Sequence, residues 1–297
     1  MTQRPHCFAL RPARLTHPLL HLGALLVCSA STLSAVAQSE APDPLKLVRA
    51  ASYNELRASN QGHTFRYRTH SIDDGKSSTK EIIETRDGDM SLLVEKNDKP
   101  LDADAEQAER DRLTKLKADP ADQARRHHKK SSEDDRDNEM IRLLPDAFLY
   151  TFLGMEHGPN GPCYRLGFKP NPAFNPPDRQ AQVYHGMAGE LWIDQSEQRM
   201  VRLDAHLIED VDFGWGVVGR LFKGGTILIE QKDVGERHWE NTLTRLDLEG
   251  RILMLKSLKI KSTDESSDFQ PVPNAGYQAA IDLLLKERPN STAGAPR

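Results

Sequence analysis

The sequence predicts an α+β fold whose largest part is one antiparallel β-meander, preceded and followed by helices. Apolar residues occupy every second position from Val201 to Leu207, which is the period of a strand with one buried and one solvated face. Similar runs follow one another between residues 189 and 261, and their close spacing leaves no room for crossover helices. Neighbouring strands are therefore expected to pair antiparallel.

Polar and glycine-rich breaks divide this meander into strands. Four of them are expected to be turns between strands, at residues 195–198, 223–225, 234–236 and 249–250. The alternation continues after the last break, where Leu258 and Ile260 flank Lys259. The region is thus predicted to form a single sheet.

The rest of the chain shows both helical and strand patterns. Pro44 suits a first helical turn, and Leu45, Val48 and Leu56 recur at helical spacing until Gly62. Further strands are predicted at residues 63–71, 79–86, 90–95, 147–155 and 163–169. The proline-rich residues 170–177 exclude helix and central strand, so they are expected to form a surface loop. A last helix is predicted at residues 277–286 and a disordered tail at 289–297.

A strongly charged insert, residues 101–144, interrupts the strands. Its first forty residues contain twelve Asp or Glu, nine Lys or Arg and no aromatic residue. Helix formers dominate and Pro120 is a natural break, so two helices are predicted, at about 103–118 and 120–144. The basic run at residues 125–130 indicates a solvated helix face in preference to a surface for anionic lipid, because acidic residues 133–135 follow it.

The first residues have the pattern of an export signal. Three arginines precede an apolar stretch from Leu19 to Val27, and Ala35-Val36-Ala37 is a small-residue cleavage site. We predict a signal peptide at 1–37, cleavage between Ala37 and Gln38, and a periplasmic or exported chain with no transmembrane span. A single domain is then predicted at 38–288. Lipidation at Cys28 is the alternative, although Val27 is large for that processing site.

Charge and cysteine content narrow the classes of partner. Loss of residues 1–37 removes three arginines and no acid, so the formal charge moves from −4 to about −7. An acidic chain gives no reason to expect nucleic acid as a partner. Cys163 is the one cysteine left after cleavage, so an internal disulfide is excluded, and a buried apolar role is predicted for it.

A search for catalytic patterns finds no complete set. The segment from Gly219 to Thr226 has the glycine spacing of a phosphate-binding loop, but Gly225 stands where the lysine is required. Carboxylates at Asp194 and Glu197 flank a predicted turn, and residues 209–212 lack the glycine and distal glutamate of a calcium loop. The sequence therefore predicts a protein that is not an enzyme and has no cofactor and no metal site.

One pair of strands resembles a known group of proteins. The segment from Gly189 to Asp194 reads GELWID, and the segment from Arg199 to Leu203 reads RMVRL. Together they resemble the outer-membrane lipoprotein-sorting and carrier proteins, the LolA/LolB-like group, and the resemblance extends from Gly189 to about Val272. It implies a strongly curved antiparallel sheet, an unclosed β-barrel covered by helices, whose concave apolar face holds acyl chains.

The function that this resemblance implies is a non-catalytic carrier or sensor of a hydrophobic ligand, such as a lipid or a lipoprotein acyl chain, in the bacterial cell envelope. The residues predicted to line the apolar cavity are Phe65, Tyr67, Leu191, Ile193, Val201, Leu203, Ile227, Ile229, Ile252 and Met254. The alternative is a protein-binding accessory module of the envelope whose core is filled, for example by Trp192, Phe213 or Trp215. A hydrolase is the third and least favoured hypothesis.

Overall fold

The computed structural model describes residues 41–58, 64–214, 218–235, 237–253, 256–273 and 276–286. The predicted signal peptide at 1–37, the predicted tail at 289–297, Trp215 and Met254 lie outside these ranges. Within the described ranges, every helix is too short or too polar to cross a membrane.

Helices and strands follow the predicted order. The α-helices are α1 (Pro44–Ala58), α2 (Ala103–Lys117), α3 (Pro120–Ala147) and α4 (Tyr277–Lys286), and a 3₁₀ helix spans Gln180–Gly186. The strands are β1 (Phe65–Asp73), β2 (Lys76–Ile83), β3 (Met90–Lys96), β4 (Lys99–Pro100), β5 (Phe148–Gly158), β6 (Gly161–Pro170), β7 (Met187–Asp194), β8 (Met200–Leu207), β9 (Val211–Phe213), β10 (Gly219–Leu221), β11 (Thr226–Gly235), β12 (His238–Ile252) and β13 (Lys256–Pro271).

The thirteen strands in the described part of the chain belong to one antiparallel sheet. Its order is β4-β3-β2-β1-β13-β12-β11-β8-β7-β6-β5, and β9 and β10 form a side branch on β12. Strand β1, near the start of the described chain, therefore pairs with β13, the last strand. Strands β4 and β5 lie at the two ends of the strand order. The predicted fold class, an antiparallel sheet that is not closed into a barrel and carries helices, is confirmed.

One predicted turn is wrong. Glu249 and Gly250 lie inside β12, opposite Lys259 and Leu258 of β13, and not between two strands. Gly250 is required there because a Cβ atom would collide with the carbonyl group of Arg220 on β10. This glycine permits a close approach of two strands, which sequence alone does not distinguish from a turn.

Two large hydrophobic cores stabilise the sheet among the described residues. The first core lies on β5 to β8 and is covered by α1, the end of α3 and the 3₁₀ helix. Its largest buried side chains include Leu166 and Leu207. The second core lies on β2 and β3 and is covered by α2 and α4, through Leu113 and Ile281 among others. The charged insert therefore supplies one helix to each core.

Candidate functional site

The ten predicted cavity residues do not share one environment. Leu191 and Ile193 are buried in the first core, and Leu203 and Ile227 pack against it half-buried. Val201 is buried in a third, smaller cluster with Cys163 and Trp239. The structure therefore places most of the meander's candidates in or beside packed protein and not around one empty cavity.

The other predicted residues lie farther along the sheet. Phe65 is 1% exposed and stacks on the His238 ring with 4.3 Å between centroids. Tyr67 stacks on Phe269 at 4.9 Å. Ile229 is half-buried on β11, and Ile252 is 37% exposed at the end of β12. Met254 lies outside the described residues.

A group of half-buried aliphatic side chains occupies the centre of the sheet. The register places Leu203 opposite Ile229, Ile227 opposite Leu246, and Leu248 opposite Ile260. Side chains alternate between faces along each strand, so all of these project from the same face. Leu248 is buried, whereas the other five keep part of their surface in solvent. We call those five the central strip: Leu203, Ile227, Ile229, Leu246 and Ile260.

Helix α1, which covers the β7 and β8 end of this face, is fixed by a buried ion pair. Arg199 donates two hydrogen bonds to Glu55, of 2.9 Å from Nε and 2.7 Å from Nη2, and each side chain is 10% exposed. Glu55 also accepts from the Met200 amide at 2.8 Å and from Gln231 at 2.7 Å. Removing either charge would leave the other one buried without its partner, so this contact holds α1 firmly on the sheet.

Helix α3 is held far less tightly. Of its 28 residues only Ala147, the last one, is buried. Met140, Leu143 and Leu144 reach the first core but stay partly exposed. The phenol groups of Tyr184 and Tyr150 donate to the backbone carbonyl oxygens of Met140 and Leu144, at 2.9 and 2.7 Å. Attachment of α3 to the first core is therefore confined to its C-terminal third.

Two open clefts lie beside the 3₁₀ helix, away from the central strip. Their volumes are about 320 and 550 Å³. None of the ten predicted cavity residues lies in their walls. The wall residues are Asn175, Pro176, Arg179, Gln182, His185, Asp210, Val211, Asp212 and Gly214. Neither cleft includes a residue of the central strip, so neither corresponds to the predicted acyl-chain site.

The residues proposed to fill the core have different positions. Phe213 packs against the first core, half-buried. Trp192 packs against the third cluster, with the Arg202 guanidinium 5.5 Å from its ring centroid. Trp215 lies outside the described residues. Phe213 and Trp192 thus belong to two different clusters, and neither of them covers the whole central strip.

A polar group adjoins Phe65 and Tyr67. Glu84, His238 and Glu240 are half-buried, and one ligand atom from each lies within 4.8 Å of the others. Burial, together with the Glu240 charge, raises the pKa of Glu84 to about 8, against the lowering effect of the hydrogen bond from the Phe65 amide. The sequence analysis did not predict this group of three residues, because Glu84 is 154 residues away from His238. The spacing His238-x-Glu240 in a strand was the available signal, since it places both side chains on one face.

The remaining candidates have structural roles. Asp194 is 1% exposed and accepts from the Ser196 and Glu197 amides, so it stabilises the turn between β7 and β8. Asp212 pairs with Arg220 at 2.5 Å and joins β9 to β10. Cys163 is buried, and burial raises the pKa of its thiol to about 11, which disfavours a reactive thiolate.

Comparisons with known proteins concern the fold. No protein-family model matches the sequence, and no curated protein matches it. A structure from Vibrio parahaemolyticus described as an outer membrane lipoprotein-sorting protein domain is 10% identical, covers 82% of this chain and 98% of its own, and gives a TM-score of 0.30. A DUF1329 family protein from Desulfovibrio piger is 11% identical, with 79% and 96% covered and a TM-score of 0.29.

A LolA superfamily protein from Nitrosomonas europaea is similar to the same extent, at 12% identity, with 79% of this chain and 96% of that chain covered and a TM-score of 0.27. The group that the strand pair from Gly189 to Leu203 resembles is thus represented among the similar structures. At these identities and TM-scores the likeness extends to neither ligand nor partner.

Proposed function

We propose that this protein is a non-catalytic carrier or sensor of an apolar ligand, a lipid or a lipoprotein acyl chain, in the bacterial cell envelope. The observation that carries this proposal is the central strip, in which five aliphatic side chains from four neighbouring strands keep part of their surface exposed on one face. The predicted signal peptide at 1–37 supports export to the compartment where such ligands occur.

The chemistry needs no catalytic group. Each CH₂ group of an acyl chain that moves from water onto an apolar surface contributes about 0.8 kcal/mol. The strip continues into the first core through Leu203, Ile227 and Ile260, which pack against that core. A chain laid along the strip therefore reaches the boundary between the sheet and the helices above it.

Helix α3 is the element that would move to admit a long chain. Displacing it separates Met140, Leu143 and Leu144 from the first core, and these are only partly buried. Helix α1 would stay in place, because the Arg199 and Glu55 ion pair holds it. In this proposal α3 acts as a lid, α1 as a fixed wall, and the acyl chain replaces the apolar contacts that α3 loses.

A protein-binding role is the second candidate, and the last strand of the sheet supports it. β5 stands at the end of the strand order, so one of its edges has no neighbouring strand among the described residues. Leu149, Leu153 and Met155 on β5 are 45%, 47% and 45% exposed. Large apolar side chains on an edge strand favour contact with an extended segment of another protein.

Native mass spectrometry of the mature chain, purified from an envelope fraction without detergent, tests the carrier role. We expect bound lipid or lipopeptide at about one per chain. The double variant Leu203→Glu and Ile229→Glu should lose it, because two carboxylates would enter the strip. The matched double variant His206→Glu and Lys232→Glu changes exposed residues on the same two strands, β8 and β11, and should keep it.

Circular dichroism and thermal unfolding establish that both double variants are folded. A ligand-free mass for the wild-type chain, with no uptake of lipid during incubation, would reject the carrier role. Equal lipid content in both double variants would also reject it. If instead a protein copurifies and is lost in the double variant Leu149→Glu and Met155→Glu, the second candidate is supported.

A further inference from the structure

We propose that Glu84, His238 and Glu240 form a binding site for one divalent transition-metal ion, Zn²⁺ or Mn²⁺. The inference is independent of the apolar ligand, because it concerns a polar group beside Phe65 and not the central strip. The ends of two strands bring the three residues together: Glu84 directly follows β2, and His238 and Glu240 belong to the first residues of β12.

The donor atoms are already close to ligand distances. One atom from each side chain lies within 4.8 Å of the other two. Zinc bonds of about 2.0–2.2 Å keep ligand atoms on the same ion about 3–4 Å apart, so modest side-chain rotation would complete the site. His238 and Glu240 already meet, with 2.7 Å between Nε2 and Oε1. A metal ion bound to these two atoms would replace the hydrogen bond between them.

Neighbouring groups hold the ligands in orientation. The Phe65 amide donates to Oε2 of Glu84 at 2.9 Å, and the Phe65 ring stacks on the His238 ring at an interplanar angle of 15°. Phe65 is 1% exposed, so both contacts are fixed by a buried residue. Such support of ligand side chains is typical of metal sites in proteins.

Charge balance gives a second, separate reason. Glu84 and Glu240 are both half-buried carboxylates, and one oxygen atom of each lies within 4.8 Å of the other. Lys130 on α3 is a cation whose charge acts on Glu84. The Lys130 ammonium group donates to Asp134 at 2.9 Å. A bound divalent cation would offset the negative charge of Glu84 and Glu240.

The ligand types select the class of metal. Carboxylates alone favour Mg²⁺ or Ca²⁺, whereas an imidazole favours Zn²⁺ and its neighbours. One histidine with two carboxylates therefore suits Zn²⁺ or Mn²⁺. Three protein ligands leave at least one coordination position for water or for an anionic group, and a closed structural zinc site has four protein ligands.

Titration of the chelator-treated, tag-free chain with ZnCl₂, MnCl₂ and CaCl₂ tests the site. Isothermal calorimetry should show one Zn²⁺ or Mn²⁺ ion per chain and much weaker binding of Ca²⁺. His238→Gln and Glu240→Gln should each weaken binding by about tenfold or more. The matched variants His206→Gln and Glu249→Gln should bind like the wild type, because both replace exposed residues, one on β8 and one on β12.

A readout on the wild-type chain covers the case in which a variant fails to fold. Co²⁺ in place of Zn²⁺ should give visible absorption bands of a site with nitrogen and oxygen ligands, and excess Zn²⁺ should remove them. Absence of one-to-one binding, absence of these bands, or equal affinity in folded His238→Gln would each overturn the proposal. None of these results depends on lipid, so failure here leaves the carrier role to its own experiment.

Discussion

Helices α2 and α3 come from the same charged insert, yet they are attached to the sheet in different ways. α2 buries Leu113 completely in the second core, next to α4 and β3. α3 is nearly twice as long, and its one buried residue is Ala147 at its C-terminal end. The comparison shows that the position of a few apolar side chains, and not the overall composition, decides whether a charged helix is fixed.

The polar contacts of the two helices also differ, because those of α2 reach another helix whereas most of those of α3 stay within α3. On α2, Lys117 bonds to Asp282 of α4 at 2.6 Å, and Arg110 donates to the Leu285 carbonyl oxygen at 3.0 Å. These contacts cross to another element. On α3 the pairs are mostly internal, such as the one between Arg126 and Asp122. Pairs within a helix stabilise helical conformation by only about 0.2–0.5 kcal/mol each and do not attach it to the sheet.

Truncation of one core-facing leucine on each helix, Leu113 on α2 and Leu143 on α3, should show the largest difference. We expect Leu113→Ala to lower the free energy of unfolding by about 2–5 kcal/mol, because it leaves a cavity in the second core. Leu143→Ala on α3 should cost roughly 1 kcal/mol, since that side chain is half-buried. Urea unfolding monitored by circular dichroism gives both values. Equal costs would mean that α3 is held as firmly as α2.

Hydrogen exchange measures the same contrast without mutation. Amides of α3 at residues 124–138 should exchange at least about tenfold faster than those of α2 at residues 107–116, a difference of about 1.4 kcal/mol in opening free energy. The reason is that α3 can separate from the sheet without exposing a buried leucine. Mass spectrometry of peptic fragments resolves the two helices. Similar protection in both would contradict a movable α3.

The smallest expected effect is a pH dependence of the protein's stability, which arises from Glu109 on α2. Burial raises the pKa of Glu109, but hydrogen bonds from Arg112 and from the Leu93 amide outweigh it, so the pKa lies below its usual 4.5. A lowered pKa means that the unfolded state binds more protons, so this contribution to stability is present above pH 4.5 and is lost as the pH falls through the folded-state value. Glu109→Gln should flatten this part of the pH profile of thermal unfolding. An unchanged profile would show that the Glu109 contacts add nothing.

Local sequence signals located most elements. The prediction of a helix at residues 277–286 is confirmed by α4, and the predicted helices at 103–118 and 120–144 correspond to α2 and α3. Pro120 and the capping Asp119 explain why the boundary between them was clear, since the Asp119 side chain accepts from two amides of the first turn. The 3₁₀ helix was not predicted, and the interior strand position of Gly250 was taken for a turn.

The positions of the candidate sites depend on contacts between residues that are far apart in the sequence. Leu203 and Ile229 were both predicted to line one apolar face, and the register places them opposite each other. Alternation could not show that Leu191 is covered by packed side chains while Ile252 is exposed. That difference arises from where α1 and α3 lie on the sheet, which is a long-range property.

The sequence by itself determined the α+β class, the antiparallel pairing and the helical nature of the charged insert, because these follow from local periodicity, proline and turn chemistry. Only the tertiary structure decided which insert helix is fixed, which aliphatic residues form the central strip, and that Glu84 meets His238 and Glu240. The physical reason is that burial and charge proximity depend on pairing β1 with β13, strands that are far apart in the chain. Long-range contacts of this kind determine the candidate sites, whereas local sequence patterns determine the helices and strands.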